Sequence, residues 1–229
     1  MYRTRALSAI GMLFLILPIC ASADEQVVNG NFSAGNLGFA SAYSFVPNGS
    51  STNPGQYAIV TDPSIDLANG YPSFKDHTTA SGKMLLGDGT PGIPLWSQSV
   101  PVAAGGAYTF SVWVTAAIGP FPPIVRFTAN GVPLGADMAV SASAGTWQHF
   151  TAAYTNGVAT TVLLRIEDVR TGAPTGNDLA VDDVSLDGPP EVPPVPFIQP
   201  AAGVALFVLL GLLATVVIRK RAAGTPIAL

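Results

Sequence analysis

The sequence predicts an all-β protein, an antiparallel β-sandwich, and three observations carry that reading. No long stretch between Asp24 and Asp187 repeats with the 3.6-residue period of a helix. Several stretches do repeat with the two-residue period of a strand. Turn residues separate those stretches at short intervals, in a segment rich in Gly, Ser, Thr, Ala, Pro and Asn.

The clearest strand is Tyr108 to Thr115. Tyr108, Phe110, Val112 and Val114 share one face, and Thr109, Ser111, Trp113 and Thr115 share the other. Trp147 to Tyr154, Thr160 to Ile166 and Leu179 to Leu186 read as three more strands. Val125–Thr128 and Val132–Leu134 flank Ala129-Asn130-Gly131, a hairpin signal, because Asn and Gly both tolerate positive φ. Period two sends one face of each strand into the core and the other to solvent, which is the pattern of packed antiparallel sheets.

The two ends are built differently. Met1 to Ala23 has a basic start at Arg3 and Arg5, an apolar run from Ala6 to Ile19, and a small-x-small ending at Ala21-Ser22-Ala23. Those three regions predict a signal peptide over 1–23, recognised by the Sec export machinery and cut by signal peptidase after Ala23. At the other end, Ala201 to Ile218 is eighteen residues without a charge. As a helix it would reach about 27 Å, most of a bilayer core. Arg219, Lys220 and Arg221 follow at once, and positive charge stays cytoplasmic, so this predicted transmembrane helix runs outward to inward. Residues 188–200, with Pro189, Pro190, Pro193, Pro194 and Pro196, form a semi-rigid spacer. Residues 219–229 form a basic cytoplasmic tail, and 24–187 the exported domain.

Charge and cysteine narrow the function. All fourteen acidic residues lie between Asp24 and Glu191, where only five basic ones stand. Such an acidic domain lacks the footprint for phosphate backbones, so nucleic acid is no expected partner. The single cysteine, Cys20, lies in the signal segment. An intrachain disulfide is therefore excluded, and the core alone must hold about 160 residues, which is sufficient.

No catalytic set stands out. There is no Gly-x-Ser-x-Gly elbow, no phosphate loop and no His-x-x-x-His pair, and the histidines are His77 and His149 alone. Glu167-Asp168 and Asp182-Asp183 are neighbours in strands and point to opposite faces, unlike a glycosidase pair facing across a cleft. The expectation is a non-enzyme, with a polysaccharide hydrolase the weaker alternative. Asp76-His77 reads as a hydrogen-bonded pair in a loop. For sugar stacking the candidates are Trp113, on the face away from Phe110, and Tyr71 and Phe74 in a loop; Trp96 and Trp147 are assigned to the core. Asp182-Asp183 is the best candidate for metal, because calcium seeks carboxylate and carbonyl oxygen.

Two resemblances add to this. The order of phrases, Val28-Asn29-Gly30-Asn31-Phe32, then Trp96-Ser97-Gln98-Ser99-Val100, Gly106 to Trp113, Gly145 to Phe150 and Asn177 to Leu186, resembles the galactose-binding-like jelly rolls, which include many carbohydrate-binding modules. That resemblance implies a jelly-roll topology, an adhesive or polysaccharide-binding role, and a structural calcium between Asn31 and the Asp182-Asp183 pair. Ser33 stands where those domains usually carry an acid. The tail resembles the PEP-CTERM and IPTL-CTERM sorting signals, which implies recognition by an exosortase near Pro193 and Pro196 and delivery to the cell surface or extracellular matrix. It has no Pro-Glu-Pro triplet; Glu191-Val192-Pro193 and Val195-Pro196-Phe197-Ile198 stand in its place. A single-pass membrane-anchored carbohydrate-binding module is the alternative reading.

Overall fold

The computed structural model describes residues 24–172 and 177–190. The signal segment with Ala21 and Ala23, the sorting residues Pro193 and Pro196, the apolar span and Arg219, Lys220 and Arg221 lie outside the described residues. Among the described residues no helix is long and apolar enough to cross a membrane.

Among the described residues twelve strands form two sheets. They are β1 (Asp24–Glu25), β2 (Ser44–Phe45), β3 (Gln56–Val60), β4 (Met84–Gly87), β5 (Pro94–Pro101), β6 (Ala107–Ala116), β7 (Ile124–Ala129), β8 (Val132–Pro133), β9 (Met138–Ala139), β10 (Gln148–Thr155), β11 (Thr161–Asp168) and β12 (Leu179–Gly188). The larger sheet runs β10-β6-β12-β4-β3-β2, with β1 also on β12. The smaller runs β5-β11-β7-β8, with β9 also on β7. Every pairing is antiparallel except β2 with β3. From β4 to β7 successive strands alternate between the sheets, and from β10 to β12 they do so again, as in a jelly roll.

The predicted strands are all present, each shifted or extended by a residue or two except Val132–Leu134, which is shortened to Val132–Pro133. The hairpin is present too. Thr128 faces Pro133 and Ala129 faces Val132, so Asn130-Gly131 is a two-residue loop, with φ of 51° and 79°. The short strands β3 and β4 and the edge strand β5 were not read from the sequence. Tyr57-Ala58-Ile59-Val60 and Met84-Leu85-Leu86 are apolar on both faces, so alternation is absent.

The main core lies between the sheets. Phe110, Val112, Val114, Phe127, Leu164 and Ile166 meet there, with Trp96 fully enclosed as expected. The chain before β2 closes one side. Buried Gln98 donates from Nε2 to the carbonyls of Val28 and Gly38, at 2.9 and 2.5 Å, and accepts from Val28 N–H at 2.8 Å. Gly30 lies so close to β12 that a Cβ would sit 1.8 Å from the Val184 carbonyl oxygen. Only glycine permits that approach.

Candidate functional site

The site begins with the outward residues of β6. Trp113 stands on the outer face of the larger sheet, opposite His149 of β10 and Asp182 of β12. Most of that face is not open. The long β3–β4 connection folds over it and builds a second apolar cluster from Val60, Leu67, Tyr71, Phe74, Met84 and Ala180 among others. Local polar contacts set the path of this connection. Asp62 caps the short helix α1 (Pro63–Asp66), accepting from Ser64 N–H at 3.0 Å, and also takes Ser73 Oγ at 2.7 Å and Lys75 Nζ at 3.0 Å. Burial alone would raise its carboxyl, but the hydrogen bonds from Ser73, Lys75 and Ser64 outweigh burial and bring it to about 2. Asp76 gathers the N–H groups of Thr79 and Gly82, at 2.7 and 2.9 Å.

That path delivers His77 onto Trp113. The rings stack at 3.7 Å between centroids, 15° from parallel. On the indole's other side His149 stacks at 4.6 Å and 18°. Trp147 meets His77 edge-on at 6.1 Å and Phe74 at 6.5 Å, and its Nε1 donates to the Lys75 carbonyl at 3.0 Å. The result is a ladder of three parallel rings, His77–Trp113–His149, with exposed His149 at its end and half-buried Trp147 beside it.

The Asp pair holds this ladder from β12. The β6–β12 register shifts between Asp182 and Ser185, and Asp183 takes φ of 47°, a left-handed conformation that aspartate tolerates. Asp182 is 1% exposed and accepts from the N–H groups of His77 and Asp183, at 2.9 and 2.8 Å. Burial, then the charge of Asp183, pushes its carboxyl up to about 7. Asp183 Oδ2 pairs with His77 Nδ1 at 2.9 Å and also accepts from Thr78 Oγ1. His77 therefore partners Asp183, not Asp76 as the loop sequence suggested.

Several expected roles change. Tyr71 and Phe74 are 3% and 9% exposed, so neither offers an open ring face to a sugar. Tyr71 instead donates to Asp178 Oδ2 at 2.7 Å, and Phe74 packs beneath Trp147. Trp113 does face outward, but both its ring faces are covered by histidine, leaving ring edges. Trp147, assigned to the core, sits half-buried at the rim of the second cluster. His149 was missed as a site residue. Its place opposite Trp113 follows from the β6–β10 register, which no local pattern supplies.

Near β12 a polar pocket of about 310 Å³ is lined by Glu25, Asn29, Asn31, Asp183 and Ser185, among others. Of the three expected calcium ligands it joins Asn31 and Asp183, and Asp182 stands outside it. Among the described residues no three His, Cys, Asp or Glu side chains converge as a metal cluster. A cation there would draw on carbonyl and amide oxygens besides the carboxylates of Glu25 and Asp183.

No family model matches this chain, and no curated protein does either. Solved structures are similar in fold. The tandem CBM22-1-CBM22-2 domain from Paenibacillus barcinonensis Xyn10C superposes with a TM-score of 0.51 at 14% identity, over 79% of this chain and 49% of that one. The chain thus spans about half the length of that tandem. A family 16 carbohydrate-binding module gives 0.41 at 13% identity, over 70% of this chain and 98% of its own. A CBM4 structure gives 0.38 at 18%, over 71% and 99%. The tandem's superposition shows the fold: a β-sandwich of the kind found in carbohydrate-binding modules.

Proposed function

We propose that this chain is an exported, non-catalytic surface or matrix protein whose jelly roll binds polysaccharide, as an adhesive or structural module. The observation that carries the reading is the ring ladder His77–Trp113–His149, beside Trp147, on a sandwich of carbohydrate-binding-module type. Aromatic edges with N–H donors, set against the carboxylate of Asp183 and the hydroxyl of Thr78, supply the mix of apolar and polar contact that a glycan needs. Fold alone would not establish a ligand. A glycan array tests it: polysaccharide binding that Trp113→Ala and His149→Ala each weaken supports the reading. Retention of full binding in both variants, or no binding to any glycan, would defeat it.

The routing belongs to the same proposal. The signal peptide engages the Sec machinery and signal peptidase, and the tail from Pro189 to Arg221 serves an exosortase or holds the protein in the membrane. Fractionation separates the two: a mature protein outside the cell that lacks residues beyond about Pro196 supports sorting, and a full-length protein in the inner membrane supports the anchor. A structural calcium in the pocket of Asn31 and Asp183, with Glu25 as a further oxygen donor, is also proposed. Calorimetry with calcium, on the unaltered chain and on Asp183→Asn, tests it; no heat at millimolar calcium ends that part.

A further inference from the structure

At one end of the sandwich the loops around β3, β4, β6 and β12 enclose a second pocket of about 240 Å³. Pro54, Asn69, Gly119 and Pro120 form its exposed rim, and Tyr71, Asp88 and Asp178 lie deeper. Asp178 and Asp88 are 6% and 9% exposed. Tyr71 donates to Asp178 Oδ2 at 2.7 Å and is itself 2.8 Å from Thr52 Oγ1. Asp178 Oδ1 is shut off from solvent, and with both acids ionised Asp88 cannot donate to Asp178; the two carboxyls bond each other only while Asp88 keeps a proton. None of the ion pairs among the described residues involves either carboxyl. Two neighbouring acids without a cation are costly to keep in a fold, and buried acids are normally paired.

We propose that this pocket is a second ligand site, and that it takes one sugar unit bearing a free ammonium, seated on the Asp88–Asp178 carboxyl pair. The choice of a sugar among amines rests on the polysaccharide-binding reading; the site itself does not. The size fits, because pockets for drug-sized ligands begin near roughly 300 Å³ and this one suits a single ring. Charge selects the amine. A neutral sugar would offer hydroxyl donors and leave the negative charge uncompensated. An ammonium brings three donors and one positive charge together. An N-acetylated sugar loses that charge. Burial, then the charge of Asp178, pushes the Asp88 carboxyl up to about 7, so Asp88 loses its charge under mild acid.

The test is a titration of the full-length chain, purified in mild detergent, with glucosamine, glucose, N-acetylglucosamine, 1,4-diaminobutane and calcium chloride as separate probes. Glucosamine binding at least about tenfold tighter than glucose or N-acetylglucosamine supports the site, as does its loss in Asp88→Asn. That variant is isosteric and relieves charge, so it should fold. The unaltered chain gives an independent reading: glucosamine affinity should fall at least about tenfold between pH 7.5 and pH 5, as Asp88 takes up a proton. Equal binding of glucose, or an unaffected Asp88→Asn, overturns the proposal. Equal binding of 1,4-diaminobutane overturns the sugar assignment, and calcium that displaces glucosamine makes this a metal site instead. The two binding proposals fail separately, since polysaccharide binding is read on Trp113→Ala and glucosamine binding on Asp88→Asn.

Discussion

His77 Nδ1 lies 2.9 Å from Asp183 Oδ2, across 106 residues of sequence. This contact ties the β3–β4 connection to the last strand and sets the His77 ring flat on Trp113. Asp183→Ala should therefore free the connection locally without unfolding the sandwich. We expect a loss of about 1–3 kcal/mol in stability, the cost of leaving polar partners unmatched. Trp113 emission should change at the same time, as its stacking partner leaves. Unchanged fluorescence in the variant would show that the contact does not hold the ladder.

Among the described glycines, Gly30 leaves the least room for a Cβ. With the Val184 carbonyl oxygen 1.8 Å from the site of a Cβ, Gly30→Ala must push β12 and the opening segment apart. Forced overpacking of this kind costs about 1–3 kcal/mol or more. Denaturant unfolding of the variant should show a lowered midpoint with an unchanged slope. A midpoint equal to that of the unaltered chain would contradict the packing described.

Tyr71 donates to Asp178 in a buried place, so Tyr71→Phe removes the donor and leaves the carboxylate Oδ2 without it. The expected cost is about 1–3 kcal/mol. Tyr71→Phe in an Asp178→Asn background should cost less, because the charge that needed the hydroxyl is gone. Equal cost in both backgrounds would mean the two side chains are not coupled.

Stability should fall as pH rises through the neutral range. Burial, then neighbouring acids, pushes Asp88 and Asp182 up to about 7. An unfolded aspartate titrates near about 3.9. Between those values the folded chain holds protons that the unfolded chain releases, so the folded state is favoured at the acid end and loses ground toward pH 7. Asp62, at about 2, acts the other way: its contribution is present above about 4 and is lost as pH falls through 2. The melting temperature should thus peak at about pH 4 and decline from there to about pH 7, and Asp88→Asn should flatten that decline. A melting temperature that rises steadily from pH 5 to pH 8 would refute this.

Much of the scaffold is written locally. The alternation Tyr108-Phe110-Val112-Val114 assigns a core face, and Asn130-Gly131 assigns a turn, because pleat and positive φ are properties of neighbouring residues. The same alternation correctly put Trp113 on the outer face. What it could not say is what lies over that face. Tyr71 and Phe74 looked like loop rings open to a ligand, and they are the floor of a second apolar cluster. The reason is distance along the chain. Tyr71 is fixed by Asp178, 107 residues away, and Asp182 and Asp183 grip His77 from more than a hundred residues on. Contacts at that separation depend on strand register and on a bulge in β12. By itself, then, the sequence determined the strands β6, β7, β8, β10, β11 and β12, the two faces of β6, and the turn between β7 and β8. Only the tertiary structure decided that Trp113 lies between two histidines and that Asp88 meets Asp178 in a pocket, because both depend on which distant segments the two sheets bring together.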